Sequence, residues 1–348
     1  MTVAASVACM DLADLTTLRL GGPARAVIDA TTEQHLVEAV RVADEAGDPL
    51  LLVGGGSNLV VADRGVDGTV VRVLTRGIAV DADACSGATV TVAAGEPWDA
   101  FVAHAVERGF VGVEALSGIP GSTGATPIQN VGAYGQDVAQ TIASVRTFDR
   151  YDRRIRTFAA ADCGFGYRHS RFKAEPQRYV VLSVTFLLAL GDLGAPVAYG
   201  ELARALGIDV GERAPAASVR DAVLALRRGK GMVLDPDDHD TWSAGSFFTN
   251  PLLTPQQAEA LPADAPRFVQ PDGSVKTSAA WLIDHAGFAK GHGSQGVSLS
   301  TKHVLALTNR GSGTTAALLD LAREVRAGVQ EAYGITLVNE PVLVGSTM

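Results

Sequence analysis

Ser246 stands in the run Ser243-Ala244-Gly245-Ser246-Phe247-Phe248-Thr249-Asn250-Pro251, fixed between a glycine and two aromatic rings. A serine nucleophile needs a general base, and neither a G-x-S-x-G elbow nor an S-x-x-K arrangement includes Ser246. Its hydroxyl can instead donate a proton. Serine is a very weak acid, so only a strongly basic acceptor, such as a carbanion or an enolate, draws that proton off. Such an acceptor needs a cation and a protonated carboxyl group as support, and the sequence offers candidates for both. Arg168, in Gly166-Tyr167-Arg168-His169-Ser170-Arg171-Phe172-Lys173, can grip a substrate carboxylate bidentately. Glu340, flanked by Val338 and Pro341-Val342-Leu343, is expected to have its pKa raised by desolvation, which suits a carboxylic acid working near neutral pH. Taken singly, each also reads as an ordinary surface arginine or a strand-end glutamate, and spacing alone does not show that the three converge.

These residues need a scaffold that presents a second reactant. Between Glu114 and Asp137 lies an uncharged run, Ala115 to Gln136, with five glycines and several small hydroxyl residues. Loops longer than about 12–15 residues are uncommon in compact domains unless they are functional. Glycines let the backbone approach a ligand closely, and successive N–H groups can ring an anion without any lysine or arginine. A buried diphosphate fits that description. A second run, Gly54-Gly55-Gly56-Ser57-Asn58-Leu59, follows the apolar stretch Leu50-Leu51-Leu52-Val53, a strand running into glycines. Leu59 occupies the place of the third glycine of G-x-G-x-x-G and no helix pattern follows, which disfavours a Rossmann assignment. The literal match Gly291-His292-Gly293-Ser294-Gln295-Gly296 follows a helical pattern and precedes an extended one, the reverse of the required context.

Around these motifs, 24–30 reads as extended, 32–46 as a helix stopped by Gly47, and 50–53 as extended, a β-α-β opening. Strands at 70–73 and 89–93 lead to a helix over 97–108 that starts with proline and stops at Gly109. After the long loop, 142–148, 153–158 and 179–188 read as strands of antiparallel character. Arg150, Arg153, Arg154 and Arg156, interleaved with Asp149 and Asp152, describe a solvated hairpin. From about residue 212 capped helices take over, signalled by Ser218 with Asp221 and by Thr254-Pro255 with Gln257, and a domain boundary is expected there. A last helix over 314–333 ends at Gly334, and 335–344 reads as an apolar strand interrupted by Asn339-Glu340-Pro341.

Composition narrows the function classes. Counting glycine and leaving out tyrosine, about 56% of the 348 residues are apolar, above the roughly 45–50% of typical soluble domains, so a large core is expected. A net charge of −9 argues against a nucleic-acid or anionic-membrane surface, which needs a concentrated basic face. Cys9, Cys85 and Cys163 form no C-x-x-C pair, so neither a metal site nor a disulfide framework is expected, and a reducing compartment fits. No apolar stretch reaches the length of about 18 residues that spans a bilayer, and Met1 to Met10 lacks a basic leader start, so a cytoplasmic protein is expected.

Taken together, the chain resembles the UDP-N-acetylenolpyruvoylglucosamine reductase family. The resemblance covers nearly the whole chain. It rests on five ordered motifs: Gly54-Gly55-Gly56-Ser57-Asn58-Leu59, the Ser117 to Gln136 run, Tyr167-Arg168-x-Ser170-x-Phe172-Lys173, Gly245-Ser246-Phe247-Phe248-x-Asn250-Pro251 and Asn339-Glu340-Pro341. It implies an α+β fold: a two-lobed FAD-binding domain of the vanillyl-alcohol-oxidase/PCMH type (1–78 with 335–348, then 79–211) and a C-terminal α/β substrate-binding domain (212–334). It implies non-covalent FAD, held by Gly54, Gly55, Gly56, Ser57, Asn58, Leu59, Ser117, Gly118, Ile119, Pro120, Gly121, Ser122, Gly124, Ala125, Gln129, Asn130, Gly132, Ala133 and Tyr134. NADPH would reduce the flavin; hydride would then pass to the enolpyruvyl methylene carbon of UDP-N-acetylglucosamine-enolpyruvate, giving UDP-N-acetylmuramate for peptidoglycan synthesis. By the same resemblance Ser246 protonates the neighbouring carbon, and Arg168 and Glu340 stabilise the enolic intermediate.

Tyr199, in Tyr199-Gly200-Glu201-Leu202, resembles the tyrosine-bearing loop of the family's longer subgroup; Lys230 and Asn250 are the further candidates for the substrate diphosphate, and His303 for a weaker substrate contact. The lesser alternative for Tyr199 is packing at the start of the helix from Glu201 to Leu206. Lys230 is one of five lysines in an arginine-rich chain, and after it the family's short Leu-Pro-Asp-Pro stretch is replaced by Gly231-Met232-Val233-Leu234-Asp235-Pro236-Asp237-Asp238. A monomer without nucleic-acid or membrane partners is expected. Two other readings stand beside this one: an oxidase of the same flavin-fold superfamily, whose covalent FAD tether would need a His or Cys that 54–84 lacks, and a nucleotide-sugar sensor without catalysis.

Overall fold

A computed structural model describes residues 10–83 and 87–348; Cys9 and Cys85 lie outside the described residues. Packing divides the described chain into two units, one of Arg25–Gly55 and Asp67–Gly229, the other of Met10–Ala24, Gly56–Val66 and Lys230–Met348. No helix among the described residues is long and apolar enough to cross a membrane.

The first unit is built on alternation. In the strand Gly87–Ala93, Ala88, Val90 and Val92 turn inward, and this strand pairs antiparallel with Tyr179–Leu190 on one side and Ile78–Asp83 on the other. The sheet continues through Ile142–Asp149 to Arg154–Ala159, an all-antiparallel arrangement that the period-two apolar pattern specifies. Ile78–Asp83 was not evident from the sequence, because on this edge strand all but Ile78 are exposed. The helix Trp98–Glu107 lays Trp98, Phe101, Val102 and Ala105 on the sheet, with the Phe101 and Phe186 rings stacked at 5.0 Å. Each such ring contributes about 1.5–3 kcal/mol by leaving water. Pro97 caps this helix from outside rather than occupying its first turn.

The β-α-β opening holds. Thr32 accepts the His35 N–H to start the helix Glu33–Ala46, Gly47 ends it at φ 66°, and Leu50–Val53 runs parallel to Val66–Val73. The helix Ala216–Gly229 also packs in this unit, with Val219 and Val223 against Ala115, Val197 and Leu202. The division by packing therefore falls after Gly229. Ser218 does not cap that helix, as its spacing from Asp221 suggested. The Val219 N–H already bonds the Pro215 carbonyl, so the helix begins earlier and Ser218 lies inside its first turn.

In the second unit the expected box at Thr254 and Gln257 is present, with both reciprocal bonds. The helix Thr315–Tyr333 is capped by Thr314 and stopped by Gly334 at φ 67°, and it carries Leu318, Leu321, Ala322, Val325 and Val329 into a core shared with Phe247, Phe248, Leu282 and Leu307. Only Val342–Val344 of the apolar tail forms a regular strand, parallel to Leu59–Val61.

The arginine hairpin forms, but its centre is not solvated. Asp149 is fully buried and accepts the Tyr151 and Asp152 N–H groups together with Arg178 and Arg156. Burial would push its carboxyl up, yet Arg178 and these other donors outweigh burial and hold it below the usual carboxylate range. Replacing it as Asp149→Asn leaves two guanidiniums underpaired. We expect a loss of about 1–3 kcal/mol, seen as a lower urea midpoint with an unchanged slope, and an unchanged midpoint would contradict this role.

Candidate functional site

In the first unit the two glycine runs interlock. A Cβ on Gly55 would lie 2.6 Å from the Gly121 Cα, so a side chain there would force the loops apart, and one on Gly54 would lie 2.2 Å from the Ser122 Oγ and displace that hydroxyl. The longer loop hangs from the turn between Gly87–Ala93 and Trp98–Glu107. Thr123 donates its N–H to the Glu96 carbonyl, Gly124 to the Ala94 carbonyl, Trp98 to the Gly121 carbonyl, and the Trp98 indole to the Leu116 carbonyl. Gly118 and Gly121 take φ of 71° and 122°, the left-handed region that a side chain would strain.

Asp99 fixes the bend. It accepts the Gly118 N–H at 2.6 Å and the Arg220 guanidinium at 2.6 and 3.0 Å. Neither partner is near it in sequence, so Asp99 reads there only as an acidic residue in a helix's first turn. Ser117, by contrast, turns its hydroxyl onto the Glu114 carbonyl, so its contribution to the loop is through the backbone. Ile119 and Pro120 are half-buried, Ser122 and Gly124 buried, and Ala125 exposed.

Arg168 reaches the far end of the same loop, donating to the carbonyls of Asn130 at 3.4 Å and Gly132 at 3.2 Å. Asn130, Tyr134 and Arg168 all hold positive φ, between 45° and 52°. For residues with a Cβ this conformation costs roughly 1–2 kcal/mol each, and such strain collects where side chains must be aimed. Asn130 is held by its own side chain, which donates to the Gly166 carbonyl and accepts the Ala139 N–H. Gln129 is half-buried beside it, and Gly132 and Ala133 form a short strand that turns back through Tyr134-Gly135. Tyr134 meets Tyr199 edge-on, ring centres 5.6 Å apart, and burial pushes its phenol up to about 12, so it keeps its proton across the neutral range. Tyr199 itself is half-exposed at the N-cap of Gly200–Leu206.

In the second unit, Gly56, Ser57 and Asn58 lead into the strand at Leu59, and the Asn58 carbonyl accepts the Val342 N–H. A strand, not a helix, follows the glycines, consistent with the absence of a Rossmann fingerprint. Ser246 is half-buried in a loop that Gly245 bends at φ 72°. Just past it, Phe247 donates its N–H to the Leu305 carbonyl at 2.7 Å, and its own carbonyl accepts the Glu340 N–H at 2.9 Å. Phe248 and Asn339 form an antiparallel bridge, and Thr249 donates to the Val338 carbonyl. Segments almost a hundred residues apart thus lie side by side, with Ser246 on one and Glu340 on the other. Glu340 is half-buried, and its neighbours Val338 and Val342 are 62% and 50% exposed, so the apolar enclosure expected from sequence is only partial.

Asn250 accepts the Ala279 N–H at 2.9 Å and so holds the start of the helix Ala279–His285. Lys230 and His303 are both half-buried in this unit, Lys230 followed by Gly231 at φ 66° and His303 opening a turn whose carbonyl accepts the Ala306 N–H.

Comparison with known proteins shows what the chain resembles. A family model described as FAD binding domain matches residues 24–157, and one described as UDP-N-acetylenolpyruvoylglucosamine reductase, C-terminal domain, matches residues 235–344. The chain is 59% identical to UDP-N-acetylenolpyruvoylglucosamine reductase from Cutibacterium acnes over 97% of its length and 90% of the relative's. It is 58% identical to the Streptomyces coelicolor protein of the same name, over 96% and 89%. Its fold matches the crystal structure of UDP-N-acetylenolpyruvylglucosamine reductase from Thermus caldophilus with a TM-score of 0.65 at 26% identity, covering 96% of this chain and 97% of that one.

Asp99 supplies a test of the cradle. Burial would push its carboxyl up, but Arg220 and the Gly118 N–H hold it below the usual range. A depressed folded-state pKa means the interaction is fully present above the unfolded value of about 3.9 and is lost as pH falls through the folded one. Asp99→Asn should weaken FAD binding at neutral pH by about tenfold, the scale of one charge-assisted bond. The wild-type contribution should be flat from about pH 5 upward. Equal FAD affinity in a fluorescence titration of the two proteins would contradict it.

Proposed function

Because the chain belongs to the UDP-N-acetylenolpyruvoylglucosamine reductase family, we propose that it reduces the enolpyruvyl group of UDP-N-acetylglucosamine-enolpyruvate to the lactyl ether of UDP-N-acetylmuramate, an FAD-dependent step in peptidoglycan precursor synthesis. The observation that supports this reading is the backbone pairing of 247–249 with 338–340, which brings the segment that carries Ser246 alongside the segment that carries Glu340.

The cofactor fits the residues present. The loop from Ser117 to Gln136 has no lysine or arginine, so a diphosphate there would be balanced by backbone N–H groups, and the interlocked glycines allow the close approach that requires. Gly54 to Leu59, Ser117 to Ser122, Gly124, Ala125, Gln129, Asn130 and Gly132 to Tyr134 are the holding residues in this reading, without a covalent tether. When bound, FAD supplies hydride-transfer chemistry, from NADPH to the enolpyruvyl methylene carbon.

Everything else falls to side chains. The Ser246 hydroxyl delivers a proton to the carbon that bears the carboxylate, so hydride and proton together saturate one carbon–carbon double bond. The Arg168 guanidinium pairs with that carboxylate, and the Glu340 carboxyl hydrogen-bonds the enolic oxygen that develops before protonation. Tyr199, Lys230 and Asn250 hold the substrate diphosphate, with His303 as a further contact. The lobes read from the sequence, 1–78 with 335–348, 79–211 and 212–334, belong to this proposal, as do a monomeric state, a cytoplasmic location and NADPH as reductant.

Stopped-flow separation of the two half-reactions tests Ser246. Ser246→Ala should leave flavin reduction by NADPH intact and slow flavin reoxidation by the enolpyruvyl sugar by about 10²–10⁴, the usual scale of lost general-acid catalysis. Equal slowing of both would refute proton donation. Acid precipitation should release all the flavin; flavin retained on the pellet would favour a tethered oxidase.

A further inference from the structure

The Ser246 loop is clamped at both ends, and the clamp at its start comes from a residue that no motif points to. At the far end stand the Phe247 bonds to Leu305 and Glu340. At the near end, Ser243 bridges Thr308, the Trp242 carbonyl accepts the Asn309 N–H at 3.0 Å, and the Ser243 hydroxyl accepts the Gly245 N–H. The Ser243 carbonyl accepts the Thr17 hydroxyl at 2.7 Å, across 226 positions of chain.

Thr17 is 6% exposed and makes a second connection, donating its backbone N–H to the Gly56 carbonyl at 3.2 Å. The turn around it is rigid. Thr16 closes it by exchanging bonds with Leu20, the Asn309 amide donates to the carbonyls of Leu18 and Arg19, and the Arg19 guanidinium lies 4.6 Å from the centre of the Trp242 ring. Gly56 has no slack either, since at φ 61° a Cβ on it would lie 1.7 Å from the Leu15 carbonyl oxygen. One threonine therefore ties the glycine run at Gly56 to the loop that carries Ser246.

We propose that Thr17 is a positioning residue for proton delivery: its hydroxyl, through the Ser243 carbonyl, fixes the Ser246 loop relative to the glycine run at Gly56. This rests on the reading of Ser246 as the proton donor and adds a residue that acts through it. Thr17→Val keeps the side-chain shape and the N–H bond to Gly56 while removing the hydroxyl donor. Thr17→Ser keeps the donor.

The test compares both variants with wild type and with Ser246→Ala in the FAD-loaded enzyme. Thr17→Val should slow flavin reoxidation by the enolpyruvyl sugar on the order of 10–100-fold, the scale of a displacement by about 1 Å. It should leave flavin reduction by NADPH and FAD affinity within about twofold, and raise the solvent deuterium isotope effect on reoxidation as proton transfer becomes limiting. Thr17→Ser should restore the wild-type rate and isotope effect. A merely structural role would slow both half-reactions together, or lower the melting temperature with the isotope effect unmoved, and either result overturns the proposal. If Thr17→Val does not fold, Thr17→Ala carries the same expectation; if neither folds, the hydroxyl serves the fold and the proposal fails. Should Ser246→Ala slow reoxidation while Thr17→Val does not, only the role of Thr17 falls; should Ser246→Ala change neither half-reaction, the reading of Ser246 falls first.

Discussion

The hydrogen bond from the Glu340 N–H to the Phe247 carbonyl is the constraint on which the proposed chemistry turns. It is an ordinary backbone bond, worth about 1 kcal/mol net. Its importance is positional. It joins the end of the chain to a loop far upstream, and because the bridge of Phe248 with Asn339 and the Thr249 bond to Val338 extend it, side chains on the two segments keep a fixed register. A weak acid such as serine is useful only if it meets a basic carbon at short range and nowhere else, so the fold must hold both groups before the substrate arrives. The buried Phe247 and Phe248 rings, 5.2 Å apart, anchor the segment, and Ser246 beside them is half-buried.

In the first unit the scaffold follows a similar logic with different materials. Interlocked glycines and left-handed φ angles give the loop its shape, and the energy to hold that shape comes from outside it: from Asp99 and Arg220, from the Trp98 indole, and from the antiparallel sheet beneath. The strain at Asn130, Tyr134 and Arg168 is offset in the same way, by side-chain bonds from Asn130 to Gly166 and Ala139. Arg168 is aimed by its own backbone conformation and steadied by the carbonyls of the loop it serves.

Most strands and helices were legible because their signals are local. Thr32, Gly47, Thr254, Thr314 and Gly334 cap or stop helices at the positions the sequence indicated, and the antiparallel strands kept their period-two pattern. One misreading is local, and the other two share one cause, a tertiary partner that sequence spacing cannot show. Pro215 starts its helix before Ser218 can, Ile78–Asp83 is strand through pairing rather than composition, and Asp149 is buried under arginines that looked solvated. The serine, arginine and glutamate proposed for the chemistry were legible as chemical types. Their supports, Asp99 with Arg220 and Thr17 with Ser243, were not, since each pair spans more than a hundred positions.

The most direct measurement is the distance from the Ser246 Oγ to the substrate in a crystal of the enzyme with FAD and the enolpyruvyl sugar bound. Expected is about 3–3.5 Å to the carbon that bears the carboxylate, with the Arg168 guanidinium on that carboxylate and the Glu340 carboxyl on the enolic side. A Ser246 hydroxyl out of reach of that carbon, with another acid in its place, would contradict serine as the proton donor.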